Sequence, residues 1–221
     1  EEGSDVARRQ VRYGNLFESV NIIVYARKAL GFSSKKLSPN VTVYPTNSIS
    51  RFLYFIGAVR LARSLVKPDL VSSQDPFESG IAAYLISRYW GVPLHLQVHT
   101  DFLSPYFVKG STFNKIRVIL ARFLIKRASS VRVVTGRVKR SIVEDGLIGE
   151  EKVKVLPVFV DTGRIRNAPV KVDLHKKYPH LETIILMASR ITEEKNIGLA
   201  IEAMREIVRK YPKVGLIIVG A

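Results

Sequence analysis

Apolar residues in this chain come in short runs separated by longer stretches with helical spacing. Residues 20–25 and 41–44 are runs of the kind that fill buried strands. Phe52, Phe55, Ile56, Val59, Ala62 and Val66 recur every three or four positions. That spacing predicts a helix over 50–66, which Pro68 ends. The same criteria predict strands at 70–73, 94–99, 131–135, 153–156, 183–188 and 214–219. Helices are predicted at 77–90, 114–128, 137–144 and 196–211. Gly91 closes the first of these, and Ala200, Ala203, Met204, Ile207 and Val208 form one stripe on the last. Strands that alternate with helices predict an α/β fold with a parallel sheet covered on both faces.

The alternation weakens between Pro157 and Leu181, a segment with Gly163, Pro169, Pro179 and no clear period. The predicted division is a first domain over 1–163, a linker over 164–180 and the start of a second domain over 181–221. The last piece is too short to bury much surface alone. The only methionines are Met187 and Met204, and the sequence ends as a buried strand runs into Gly220. A piece of a longer protein is therefore the expectation.

Of the 221 residues 47% are hydrophobic and 24% charged, which excludes a disordered or collagen-like chain. The absence of cysteine excludes disulfides, zinc fingers, iron–sulfur clusters and thiol nucleophiles. No apolar run approaches the roughly 18 residues of a membrane span. The opening Glu1-Glu2 is no secretory signal, so a cytoplasmic protein is expected. Lys and Arg number 35 against 19 Asp and Glu, a formal charge of +16. The excess is uneven, with ten basic residues and no acid between Phe102 and Val143. Apolar Ile116, Val118, Ile119, Leu120, Phe123, Leu124 and Ile125 lie among them. A basic amphipathic helix suits the surface of an anionic membrane, nucleic-acid phosphates, or simple solvation.

Open parallel sheets bind ligands at the carboxyl ends of their strands. Three predicted strands end in polar residues: Ser72-Ser73-Gln74-Asp75, His99-Thr100-Asp101 and Thr135-Gly136-Arg137. These ends are expected to share one edge and to make a cleft. His95 and His99 lie on one predicted strand about 13 Å apart, at roughly 3.3 Å per residue. That separation does not suit one zinc ion. His95 reads as a hydrogen-bonded core histidine, whereas His99 fits a structural or a functional role equally. There is no Gly-x-Ser-x-Gly, Walker or Gly-x-Gly-x-x-Gly motif, and no Asp-x-Asp pair for a divalent cation, so no metal site is expected. A phosphorylated ligand would then rely on cations and backbone amides. Arg190 after one strand and Lys195 before the next helix are candidates, although their spacing alone also fits a solvated loop.

The order Gln74-Asp75-Pro76-Phe77-Glu78-Ser79-Gly80, Val98-His99-Thr100-Asp101, Val134-Thr135, Leu156-Pro157-x-x-Val160-Asp161, Ser189-Arg190-x-x-x-Glu194-Lys195-Asn196 resembles glycosyltransferase family four. The resemblance implies the GT-B architecture of two Rossmann-like domains, the second incomplete here. It implies a retaining, metal-independent transfer of sugar from a nucleotide-sugar, with no other cofactor, to a sugar, lipid-linked or polysaccharide acceptor. Arg190 and Lys195 would bind the donor diphosphate. His99 and Asp101 would be catalytic. Gln74, Asp75, Thr135 and Arg137 would line the acceptor side, and Gly220 would belong to a donor loop. An anionic membrane surface at the cytoplasmic face is the further expected partner, and nucleic acid is not.

Several features depart from the family pattern. Its first strand should precede Glu1, and its Glu-x7-Glu pair should lie beyond Ala221. Ser189 stands where glycine is usual, and Val158-Phe159 replaces Asn-Gly. A basic nucleic-acid-binding module and a sugar-phosphate isomerase of the same shape are the alternatives.

Overall fold

A computed structural model describes residues 4–109 and 111–220. The chain divides into two compact units, residues 1–159 and 160–221.

The first unit begins with α1 (Asp5–Gly14), capped by the Ser4 hydroxyl, which accepts from the Ala7 amide. Next come β1 (Val20–Val24), β2 (Lys35–Ser38) and β3 (Val41–Pro45). β1 and β3 are parallel, and β2 pairs antiparallel with the other side of β3. A short 3-10 turn leads into α2 (Tyr54–Arg63), followed by β4 (Val71–Ser73), α3 (Glu78–Trp90) and β5 (Leu94–Val98). The unit continues through α4 (Pro105–Lys109), α5 (Thr112–Ile125), β6 (Ser130–Val133), α6 (Gly136–Glu144) and β7 (Val153–Val155). Strands β4-β5-β6-β7 form a four-stranded, wholly parallel sheet in that order.

The strands of this sheet alternate more than the expected two-sided burial allows. Leu94, Leu96, Val98, Val131, Val133 and Val153 point to one face and are buried with Ala121, Leu124, Ile125, Val138 and Ile142 of the helices. Ser72, His95, Gln97, Ser130 and Arg132 occupy the other face and bond across the strands. The Gln97 amide donates to the Ser72 hydroxyl at 3.5 Å and Arg132 donates to Gln97 Oε1 at 2.8 Å, while His95 Nδ1 and the Ser130 hydroxyl are 2.8 Å apart. The apolar face is the core, and the polar one satisfies itself with hydrogen bonds, as half-buried polar groups must. His95 is thus the hydrogen-bonded histidine expected.

Helix boundaries follow local chemistry. Gly91 closes α3 at φ 65°, where a Cβ would be strained. Gly80 lets α3 approach its neighbours, since a Cβ there would lie 2.8 Å from Leu124 Cδ1 and 3.0 Å from the Asp75 carbonyl. The predicted 50–66 helix is shorter, and its buried positions are Ala58 and Ala62. Phe52 and Val66 fall outside α2 and are exposed, and Ile56 is exposed on α2, whose buried residues are the small Ala58 and Ala62.

The second unit contains α7 (Thr162–Arg166), α8 (Leu174–Lys177), β8 (Thr183–Ala188), α9 (Ile197–Lys210) and β9 (Val214–Val219), with β8 and β9 parallel. Of the stripe predicted on α9, Ala200, Met204 and Ile207 are half-buried, and Ala203 and Val208 are exposed. Every buried hydrophobic residue among those described lies at or before Val153.

Leu124→Ala and Ile142→Ala should each destabilise the first unit by about 2–5 kcal/mol, as large-to-small core changes do. Ile119→Ala, on the exposed side of α5, should cost no more than about 0.5 kcal/mol. Urea unfolding followed by circular dichroism measures the difference.

Candidate functional site

The parallel register sets the site. Ser73 pairs with Leu96, Val98 with Val133, and Val133 with Val155. Gln74, His99 and Thr135 therefore leave the sheet at one edge, as the sequence leads one to expect. Phe102, fully buried directly after His99-Thr100-Asp101, anchors the loop that carries them. Its ring meets Phe77 edge to face, and Phe77 stacks on Phe107, so one aromatic cluster holds the loops after β4 and β5.

The six first-unit candidates differ in what their side chains already do. Gln74 is exposed. Asp75 Oδ1 accepts from the Phe77 amide at 2.8 Å and Oδ2 from the Ser79 hydroxyl at 2.7 Å, so this carboxylate braces the start of α3. Asp101 is mostly buried and lies 3.0 Å from the largely exposed Arg137 guanidinium. This pair ties the β5 loop to the first turn of α6, and such a half-solvated pair contributes at most about 1 kcal/mol. Thr135 caps α6 by accepting from the Val138 amide at 3.3 Å. A Cβ on Gly136 would meet only Arg140, at 3.9 Å, so the approach to the helix start is open.

His99 is exposed at the edge. Its pKa is lowered, first by partial desolvation, then by the charges of Arg132 and Arg9, against an opposing contribution from Asp75. The ring is neutral at pH 7, with one nitrogen to donate and one to accept. The His95 pKa is lowered too, by burial and then by Arg132.

Sequence reasoning missed two residues here. Arg132 was grouped with the basic segment, but it belongs to the sheet. It donates to Gln97, to the Leu156 carbonyl at 3.0 Å and to the Pro157 carbonyl at 3.2 Å, and so fixes the chain beyond β7. Its signal was an arginine alternating with valines inside a strand. Tyr25 donates to the Glu78 carbonyl at 3.1 Å, and its phenol is shifted upward, chiefly by burial and then by Asp75 and Glu78. Its signal was a tyrosine at the end of an apolar run.

The other three candidates lie in the second unit. β8 ends beside Arg190, and Lys195 closes a 3-10 turn immediately before α9. Asn196, at the N-cap, adopts φ 48° and gives no side-chain cap. A Cβ on Gly198 would meet nothing within 4 Å, so the first amides of α9 are approachable by an anion. Ile191, Thr192, Glu193, Asn196, Ile197 and Gly198 line a shallow depression of about 350 Å³ there. Gly220 follows β9 and packs on the Ser189 carbonyl so closely that no side chain fits. Among the described residues no three His, Asp or Glu side chains gather as metal ligands would.

The charge on His99 is open to measurement. Its imidazole should titrate below 6.5 by NMR. Arg132→Gln should move that value upward, because a positive charge that opposes protonation is lost. An unchanged titration would remove Arg132 from the electrostatics of the site.

Comparison with known proteins places the chain among relatives. The model of Glycosyltransferase Family 4 matches residues 16–164. The chain is 25% identical over 184 residues to an alpha-monoglucosyldiacylglycerol synthase of Streptococcus pneumoniae, covering 77% of this chain and 40% of that protein. It is 27% identical over 154 residues to the alpha-D-kanosaminyltransferase of Streptomyces kanamyceticus, covering 64% and 39%. The chain thus spans about 40% of the length of these two relatives. Among solved structures, the UDP-forming trehalose-phosphate synthase of Burkholderia vietnamiensis superposes with a TM-score of 0.59 at 13% identity, covering 91% of this chain and 64% of that one. Anabaena HepE in complex with UDP superposes with a TM-score of 0.56 at 14% identity, covering 97% and 66%. At such identities the likeness is one of fold, and it includes a UDP-GlcNAc 2-epimerase from Neisseria meningitidis at a TM-score of 0.54 and 17% identity, covering 92% and 66%. The match across residues 16–164 is what decides among proteins of this shape: the chain belongs to glycosyltransferase family 4.

Proposed function

We propose that the whole protein transfers a sugar from a nucleotide-sugar to an acceptor, with retention at the anomeric carbon and without a metal ion. Family membership supports the reaction class. The observation that carries the mechanism is the turn between β8 and α9. Arg190 directly precedes, and Lys195 falls within, the segment 191–198 whose residues line a depression at the start of a 14-residue helix. Arginine forks onto phosphate oxygens, lysine adds a point charge, and the helix start adds partial positive charge. A diphosphate held there gains negative charge as its bond to the sugar breaks, so attraction to these groups grows towards the transition state. The absence of any Asp-x-Asp from the sequence is in keeping with cations taking the role a metal has elsewhere.

On the first unit, neutral His99 is suited to hydrogen-bonding the sugar or the donor phosphate without repelling either. Asp101, held by Arg137, orients the loop between them. Gln74 and the open start of α6 at Thr135 belong to the acceptor side, and Asp75 shapes that wall through α3. Gly220 allows the donor loop to pass close to the end of β8. The nucleotide-sugar is a co-substrate, and the name of the streptococcal relative supports a lipid-linked acceptor. Among the described residues no helix is long and apolar enough to cross a membrane. A peripheral protein at the cytoplasmic face is the corresponding reading.

In the whole protein, Arg190→Ala and Lys195→Ala should each lower turnover by about 10²–10³ with the fold intact, the usual effect of removing one aimed charge donor. Lys195→Arg should restore little, because a planar fork is not a compact ammonium. A chelator should leave the wild-type rate unchanged. Near wild-type turnover in both alanine variants, or loss of activity with chelator, would overturn the cation-assisted mechanism.

A further inference from the structure

The helix α5 has two apolar sides, and only one is used by the core. Ala121, Leu124 and Ile125 are buried against the sheet. Ile116, Ile119 and Phe123 follow one another at helical spacing on the opposite side and are 58%, 69% and 42% exposed. An ordinary surface helix carries polar residues there. Phe113, one turn before Ile116, is exposed as well, and so is Tyr106, at 85%, on α4, which packs against α5.

Positive charge borders the stripe. Arg122 is paired with Asp145 and Arg117 with Glu78, so those two are largely neutralised. Lys115 and Lys126, by contrast, meet no acid among the described residues, and the Arg127 guanidinium lies 3.6 Å from the centre of the Phe123 ring. The face thus combines an apolar centre with unneutralised cations along its margins.

We infer that this face of α4 and α5 docks on an anionic lipid bilayer. Ile116, Ile119, Phe123 and Tyr106 enter the boundary between headgroups and acyl chains, and Lys115, Lys126 and Arg127 meet lipid phosphates. The charge complementarity selects this occupant. Interfacial helices of this type gain from buried apolar area and from attraction to anionic lipids together. Lysine and arginine stems lie along the apolar surface while their charged ends reach the headgroups. Nucleic acid makes poor use of the face, because its phosphates need cations and offer nothing to two central isoleucines. α4 and α5 follow directly from the loop that carries His99 and Asp101, so a docked protein holds that sheet edge near the lipid surface. The inference rests on the reading of a peripheral protein but not on sugar transfer.

The test is sedimentation of the whole protein with vesicles of phosphatidylglycerol and phosphatidylcholine, or of phosphatidylcholine alone. Wild type should partition to the anionic vesicles, and high salt should weaken the binding. Lys115→Gln and Lys126→Gln should each lower the partition coefficient about fivefold, the factor equivalent to about 1 kcal/mol per basic residue. Ile119→Ser should lower it about tenfold or more. Each variant should keep the wild-type circular dichroism and melting temperature, since all three positions are exposed. Arg190→Ala should bind vesicles like wild type, so loss of transfer and loss of docking are told apart. Equal binding to both vesicle types, no binding to either, or Ile119→Ser binding as wild type would overturn the inference. So would stronger retention on duplex DNA than on anionic vesicles at the same salt.

Discussion

The parallel ladder from β4 to β7 is the constraint on which the first unit depends. Parallel strands in one sheet start at one edge and finish at the other, and the helical crossovers between them follow from that. One face is closed by α3, α5 and α6 over leucine, valine and isoleucine. With that face buried, a shift of one residue in any strand would turn Leu96 or Val133 outward and Gln97 or Arg132 into the core, so the register is pinned. Pinned register delivers Gln74, His99 and Thr135 to the same edge. Helix starts at α3 and α6 arrive there too, because each follows a strand that ends there.

The polar face is the less usual half of this sheet. Arg132 organises it by spending its donors on Gln97 and on two carbonyls just past β7. After desolvation, its charge in the strand beside β5 is the next cause that lowers the pKa of His95 in that strand and of His99 just past its end. The same guanidinium therefore fixes the chain at the end of the first unit and biases His99 towards the neutral form. The carboxylates near the edge are not idle either: Asp75 braces α3, and Asp101 is tied to Arg137.

Sequence reading succeeded where apolar residues run together or recur at a fixed spacing. The six-residue strands β8 and β9 match their apolar runs end for end. Most remaining differences are of one to three residues at helix and strand ends, where fraying and 3-10 turns blur the pattern. The misses have physical causes. β2 reads Lys-Lys-Leu-Ser, an edge strand with two exposed lysines, a composition that protects sheet edges and conceals the strand. α1 is held by its Ser4 cap and is strongly polar. α4 has five residues, too few to show a period. Arg132 and Tyr25 went unassigned because their partners lie 24 or more residues away. The candidate edge was legible because strand ends can be read locally. The occupation of Asp75 and Asp101 was not, since it depends on neighbours brought together by folding.

The family match covers residues 16–164, and the cations proposed to meet a diphosphate lie later in the sequence, in the turn between β8 and α9. Fold alone does not separate transfer from epimerisation, because proteins of both kinds share it. The stereochemical course of the reaction does. The most direct measurement is proton NMR of the anomeric region while the whole protein acts on an α-linked nucleotide-sugar with acceptor and a chelator present. Sugar transfer with retention predicts that the first new anomeric signal is α-linked and appears in step with released nucleoside diphosphate. A β-linked first product, or an epimerised donor with no linkage to acceptor, would contradict it.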